Sequence, residues 1–549
     1  MSVAGLLLVI VTGIAVAGFA KRLGFQVPLV LVTVGAAASF VPGVPPLVLS
    51  PDLILSVVLP PLLYSAALDL SFTTFRRNIW PILRLGVGMV LVTALAVGAF
   101  ANWLVPELTL GAAIVLGAVV APTDAVTAVA VGRKLGLPDR MMAILKGESL
   151  VNDATALTLF TLATAAVTGR RIAIDSPIVY FGYEITGGVL VGLALSLLVR
   201  LVRARASDPA LETVLGVVLP FAAFLAAEEI HASGVLAVVT AGFVLGRTVG
   251  DESVSTRIQE RSVWPTIDLV LETFVFAYLG LQLKTVIDAV RADGLPVHHV
   301  FGYGLAVLAL VIVIRPVWIF VNAGLRRLAA RRVRTLKVRR TGRPDQLTWR
   351  QNLVLSWVGM RGVVTLAAAA GIPLATQAGA PFPGRGAIQA VAFTVAVGTL
   401  LIQGSTLPTL IRLLDVADPD EEARFAEQRA LARRVSRGAA ERVLAETLRQ
   451  PPAALPRCET AEVVERLRRS TEARLAAEDA DDLGEHEARA LKLGAQFNRL
   501  RNDVLKAQRR ALIAARDAGD LDDEVLRRVL DELDMEEAAA EARVQRQRW

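Results

Sequence analysis

Cysteine is nearly missing from this chain: one residue, Cys458, stands far down a polar stretch, so no internal disulfide framework can form. Histidine is almost as scarce, with four residues, and of these only His231 touches the edge of an apolar segment while His298 and His299 read as loop residues. An intramembrane hydrolase needs a paired nucleophile and base or a set of metal ligands, and these positions supply neither. Charge is sparse as well, at 20% of residues against 54% hydrophobic, and mean hydropathy is +0.53. Over 549 residues that is too apolar for an ordinary soluble multidomain protein, so the chain reads as an all-α polytopic membrane protein. The net charge of +7 does not point to nucleic acid, because the arginines gather beside apolar segments without aromatic interleaving.

What the chain has in abundance is long apolar runs. Thirteen segments long enough to cross a hydrocarbon core fall at 3–20, 27–43, 51–70, 78–104, 109–132, 141–168, 178–204, 211–228, 233–247, 264–283, 300–327, 351–376 and 385–413. The first is followed by Lys21 and Arg22, lacks a basic region before it and leads into another apolar span, so it reads as a retained helix and not a cleaved signal. Lysine and arginine concentrate in alternate connections, such as Arg76 and Arg77, Arg133 to Arg140, and Arg326 to Arg340. That pattern places the N-terminus outside the cell membrane and the C-terminus in the cytoplasm, with Arg170 and Arg171 as the clearest exception. After about residue 414 the composition turns to Ala, Glu, Arg and Leu at helical spacing. Residues 1–414 are therefore the expected transmembrane domain, and 415–549 an expected cytosolic helical tail broken by "QPPAALP" at 450–456. No Gly-rich phosphate loop or metal cluster is visible in that tail, which reads as a regulatory or oligomerisation module that binds an unidentified cytosolic ligand.

An ionisable group inside a span costs about 2.5–3.5 kcal/mol on insertion scales unless it faces water or a partner. Each one is a question about function. In "GESLVNDATAL", residues 147–157, the four-residue spacing puts Ser149 with Asp153 and Glu148 with Asn152 on two adjacent polar stripes of one helix. Asp153 and Ser149 offer hard oxygen ligands suited to a small cation, and the same carboxylate can take a proton instead. The two occupants exclude one another, which is exchange chemistry; the plainer alternative is that Asp153 is paired structurally. In "APTDAVTA", residues 121–128, Pro122 removes a backbone donor and Thr123 and Asp124 add polar groups at mid-span, which predicts either a broken helix or a proline kink capped by Asp124. Broken helices at this depth hold ions in secondary transporters. Arg361, between Gly359 and Gly362, needs a carboxylate, and Glu148 is the first choice of partner; Arg315, before Pro316, either competes for Glu148 or snorkels to an interface. Glu228, Glu229 and His231 form a short polar turn on the outer side, and Asp268 and Glu184 sit in spans facing water or an interface.

Together with "LPPLLYSAAL", "FVFAYLGLQL", "MRGVVTLAAA" and "QGSTLP", the motifs "PTDAV" and "GESLVNDATAL" fall in the order found in the monovalent cation/proton antiporter-1 family, and the chain resembles its NhaP-type sodium/proton exchangers up to about residue 414. The resemblance implies thirteen transmembrane helices in two inverted repeats, core and dimerisation subdomains, a homodimer, and an elevator-like movement. It implies that Asp153 carries either cation or proton, that Ser149, Asp124 and Thr123 help hold the cation, and that Glu148 and Arg361 brace the core. Asn152, where electrogenic relatives carry a second Asp, implies electroneutral exchange of one Na⁺ for one H⁺, with Li⁺ or K⁺ as other candidate ions. No cofactor is implied; the partners are the cation, the proton and the lipid bilayer. The chain departs from the family at Ser65, where an acidic residue is common, and at Glu272, where relatives often carry Asn. Asp69 or Glu272 is a candidate to supply the missing charge. A K⁺/H⁺ antiporter of the same fold and a cation channel are the alternatives, the channel being distinguished by current without obligatory proton movement.

Overall fold

The computed structural model describes residues 3–42, 53–124, 126–170, 176–205, 208–248, 254–334 and 347–416, with isolated tail positions at 441, 445, 448, 449 and 465. The chain divides into two compact units, Met1–Ala417 and Asp418–Trp549. The second unit, and with it the expected helical tail and Cys458, lies almost wholly outside the described residues.

The first unit is built of helices. In chain order they are α1 (Val3–Arg22), α2 (Val27–Ala38), α3 (Ile54–Leu68), α4 (Phe72–Arg77), α5 (Ile79–Leu104), α6 (Leu110–Val120), α7 (Val126–Lys134), α8 (Asp139–Thr168) and α9 (Pro177–Arg203). They continue with α10 (Pro209–Glu229), α11 (Gly234–Thr248), α12 (Val254–Ala292), α13 (Val297–Arg334), α14 (Trp349–Trp357), α15 (Val363–Ala370) and α16 (Arg385–Leu414). Every expected apolar segment falls on a helix or a pair of helices. Among the described residues seven helices are long and apolar enough to cross a membrane, all or part of α5, α8, α9, α10, α12, α13 and α16, while α2, α3, α6 and most of α11 are shorter apolar helices. α12 outruns its expected segment at both ends, because the polar turns at Val254–Arg261 and Lys284–Ala292 are helical despite their charge.

Helix ends follow local chemistry. Proline opens α2, α9 and α10, where a missing amide hydrogen costs nothing. Thr348 and Gln351 cap α14 reciprocally, and Gly169 closes α8 in the left-handed conformation, φ 75°.

Side chains face in the sense expected for lipid. α9 buries only Tyr180, Glu184, Gly188, Gly192 and Ser196, a stripe of mostly small or polar residues at four-residue spacing, while Ile178 is 84% and Leu190 65% exposed. A soluble helix would have the opposite pattern, so this outward face is one that hydrocarbon covers. Small residues on the inner face let helices pack closely without a hydrophobic drive. Where α5 crosses α6, a Cβ at Gly117 would stand 2.1 Å from the Ala94 carbonyl oxygen. One apolar cluster joins α5, α6, α13, α15 and α16; another joins α3, α9, α10 and α11, and includes Ala143, Leu150 and Ala154 of α8. The helix α8 thus lies where both clusters can reach it.

Candidate cation-binding site

The expected break at Pro122 is present, not a kink in a continuous helix, and a second break lies around Arg361. α6 ends at Val120 and α7 starts at Val126; α14 ends at Trp357 and α15 starts at Val363. The first break is written by Pro122, and the second lies over Val358–Gly362 with two glycines. The two interrupted strands of main chain meet: the Asp124 amide donates to the Met360 carbonyl at 2.7 Å. A Cβ at Gly362 would stand 2.1 Å from Asp124 Oδ2, so the crossing requires glycine there. Asp124 Oδ1 accepts from the Val126 amide at 2.8 Å, which caps α7.

Breaking a helix in a membrane leaves carbonyls and amides that must find partners inside the protein. Arg361, fully buried, donates from Nε to the Val120 carbonyl at 2.9 Å and from Nη1 to that of Gly359, while its own amide donates to Thr399 Oγ1 at 2.9 Å. Asn152 Nδ2 donates to the Thr123 carbonyl at 2.8 Å and lies 2.9 Å from Thr123 Oγ1, and Thr123 Oγ1 donates to Glu148 Oε1 at 2.8 Å. These bonds hold the unwound chain to α8. The polar stripe of Glu148 and Asn152 is therefore the clamp, and the stripe of Ser149 and Asp153 is left for other work.

The expected ion pair of Glu148 with Arg361 is corrected by the structure. Glu148 is bound by Arg315 of α13, from Nη2 to Oε2 at 2.8 Å and from Nη1 to Oε1. Arg315 also donates from Nε to the Leu355 carbonyl at 3.0 Å, at the end of α14. The physical reason is demand: Arg361 is held by the carbonyls that the helix breaks release, and Arg315 has the planar fork aligned with the carboxylate. Both arginines are 1% exposed, so snorkelling is excluded for Arg315.

Asp153 is 6% exposed and its carboxylate has no hydrogen-bond partner among the described residues. It lies within electrostatic reach of Asp124. No structural pairing of the kind considered above is present at Asp153 among the described residues. Ser149, one turn earlier on α8, is half-buried. The Oδ1 atom of Asn152 is buried and likewise has no partner, which leaves a further acceptor beside the crossing.

Around Ser65 the structure adds a residue that sequence reasoning left unplaced. Ser65 of α3 donates from Oγ to Asp268 Oδ2 of α12 at 2.6 Å. Asp69 does not substitute at this position: it is half-exposed and taken by Arg133 and by Lys146, 3.5 Å away. Glu272, one turn beyond Asp268 on α12, is half-buried and feels the charges of Asp268, Asp124 and Lys21. Glu184 is buried on α9 and accepts a hydrogen bond from Thr158 of α8. Glu228, Glu229 and His231 are exposed, as expected of a solvated turn.

A helical membrane protein with two broken helices crossing beside buried Asp153 and half-buried Asp124 has the features of the class of ion-coupled antiporters. A model described as "sodium/hydrogen exchanger, transmembrane" matches residues 6–413, and the chain belongs to that family. It is similar to an uncharacterized Na⁺/H⁺ exchanger of Mycobacterium tuberculosis strain H37Rv, 33% identical over 93% of this chain and 91% of that one. It is 30% identical to the Na⁺/H⁺ antiporter ApNhaP of Aphanothece halophytica, over 78% of this chain and 76% of the relative. A sodium, potassium, lithium and rubidium/H⁺ antiporter of Bacillus pumilus is also 30% identical, over 74% of this chain and 61% of the relative. The fold is similar to that of the sodium proton antiporter MjNhaP1 from Methanocaldococcus jannaschii, with a TM-score of 0.56, 19% identity, and coverage of 74% of this chain and 97% of that one.

Proposed function

We propose that the protein exchanges one Na⁺ for one H⁺ across the cytoplasmic membrane, with Asp153 holding either ion in turn. The observation that carries this is the division of labour on α8: Glu148 and Asn152 hold the broken helix through Thr123, whereas Asp153 is buried without a hydrogen bond among the described residues, beside Asp124. Oxygens of Asp153, Asp124, Ser149 and Thr123 form the ligand set. One ionisable carrier, with Asn rather than Asp at 152, supports electroneutral exchange.

Alternating access runs as an elevator. A core of α5–α8 and α13–α16 moves past a dimerisation subdomain of α1–α3 and α9–α12, within thirteen spans arranged as two inverted repeats. The two broken helices, one in each half, support that symmetry. The alternating arginine-rich connections support an outer N-terminus, an inner tail and a transmembrane domain of residues 1–414. The tail of 415–549 gates exchange by binding a cytosolic ligand. Asp268, hydrogen-bonded to Ser65, and Glu272 supply negative charge along the approach to Asp124. The Bacillus pumilus relative's named ions favour a second reading in which K⁺ and Li⁺ are also carried.

The test is transport in vesicles under an imposed pH gradient, wild type against Asp153→Asn, with Na⁺, K⁺ and Li⁺ and with membrane voltage clamped. Exchange is expected to vanish in the variant and, in the wild type, to proceed at a rate independent of voltage. Normal exchange by Asp153→Asn refutes the carrier assignment, and current without proton movement identifies a channel.

A further inference from the structure

Three arginines from three different helices converge outside the cation site. Arg84 of α5, Arg140 at the start of α8 and Arg326 of α13 line one cavity of about 30 Å³, with Asn322, Trp318 and Asn352 completing its polar and aromatic wall. No Asp or Glu is among the lining residues. Among the described residues the charged groups acting on Arg326 are Arg84 and Arg140, both of its own sign. Arg326 donates from Nε to the Asn322 carbonyl at 3.3 Å in its own helix, and Arg140 donates from Nε to Asn78 Oδ1 at 3.3 Å. The Arg84 side chain makes no hydrogen bond among the described residues. Like charges gathered round a concavity repel one another, and an arginine that served only to orient the chain in the membrane would sit apart from others in open solvent.

Depth in the membrane narrows the chemistry. Trp318 borders the cavity and donates from Nε1 to the Arg84 carbonyl at 3.1 Å, Trp80 nearby in sequence is 68% exposed, and Trp349 is 54% exposed at the start of α14. Tryptophans with an apolar face outward and a polar edge inward mark the headgroup level of a bilayer. Basic pockets between helices at that level take phosphate headgroups. A cavity of about 30 Å³ has room for about two water-sized groups, so oxygens of one phosphate enter while the rest of the ligand stays outside.

We propose that Arg84, Arg140 and Arg326 form an anion site that binds a phosphate group, carried by an acidic phospholipid of the cytoplasmic leaflet or by free phosphate. Guanidinium forks match phosphate oxygens two by two, which a point charge such as lysine does not. Bound there, the phosphate joins α5, α8 and α13, of which α8 carries Glu148 and Asn152 and α13 carries Arg315. It thereby ties the frame of the cation site to the membrane surface without touching the transported ions.

The test uses the purified full-length protein. Thermal unfolding is followed in an uncharged detergent with inorganic phosphate against chloride at equal ionic strength, and separately in phosphatidylcholine vesicles with and without phosphatidylglycerol. At least one phosphate source is expected to raise the unfolding midpoint by about 2 °C or more, and the rise is lost in Arg84→Gln/Arg326→Gln. A rise with inorganic phosphate assigns the free ion, and a rise confined to phosphatidylglycerol assigns the lipid headgroup. Equal midpoints for wild type with and without both sources overturn the site. So does an undiminished rise in the double variant. Should that variant fail to fold, Arg84→Lys/Arg326→Lys keeps the charge and is expected to lose more than half the rise.

Discussion

The exchange of partners at Glu148 makes a quantitative prediction. Removing one member of a buried, hydrogen-bonded ion pair strands the other charge and costs about 3–5 kcal/mol. Glu148 and Arg315 share two hydrogen bonds at 2% side-chain exposure each, whereas Glu148 and Arg361 share none. We predict that Glu148→Gln and Arg315→Met each destabilise the protein by about 3–5 kcal/mol. The double variant should be milder than the sum, giving a coupling energy of about 2–3 kcal/mol. The parallel cycle with Arg361→Met should give no more than about 1 kcal/mol, because Arg361 is held by the Val120 and Gly359 carbonyls and senses Glu148 only through space. Equilibrium unfolding in mixed micelles, with intrinsic tryptophan fluorescence as the readout, measures the wild type and all five variants on one scale. Equal coupling of Glu148 to both arginines would falsify the division of roles described for them.

Three further outcomes follow from the crossing and its approach. Gly362→Ala places a methyl where Asp124 Oδ2 stands and is expected to abolish exchange in vesicles while the helical circular dichroism is retained. Asn152→Asp turns two N–H donations toward Thr123 into a carboxylate facing a carbonyl; unfolding measurements should show a loss of about 1–3 kcal/mol, and an equally stable variant contradicts the clamp. Asp268→Asn removes charge from the approach and is expected to raise the Na⁺ concentration for half-maximal exchange several-fold with little change in maximal rate, whereas Ser65→Ala, which keeps the charge, should shift it less.

Helices were legible because hydropathy over about 20 residues depends on composition alone. Pro122 announced the first break, since its backbone chemistry is local, whereas the glycines around Arg361 were not read as a second one. What was not legible was which charge meets which. Arg315 and Arg361 are alike in sequence, each a lone cation in an apolar run, and only the tertiary placement of α13, from which Arg315 reaches Glu148, decides between them. Asp268 escaped placement for the same reason: its partner Ser65 lies 203 positions away, on a helix whose own missing carboxylate directed attention to Asp69 and Glu272 instead.

The Arg315–Glu148 bond also has a history in time. The two residues are 167 positions apart, so at a synthesis rate of about 5–20 residues per second the carboxylate is made roughly 8–30 s before its counter-ion. For that interval α8 resides in the nascent membrane assembly with its clamp unanchored. The cation pathway is thus completed late in biogenesis, by the second half of the polypeptide closing over the first.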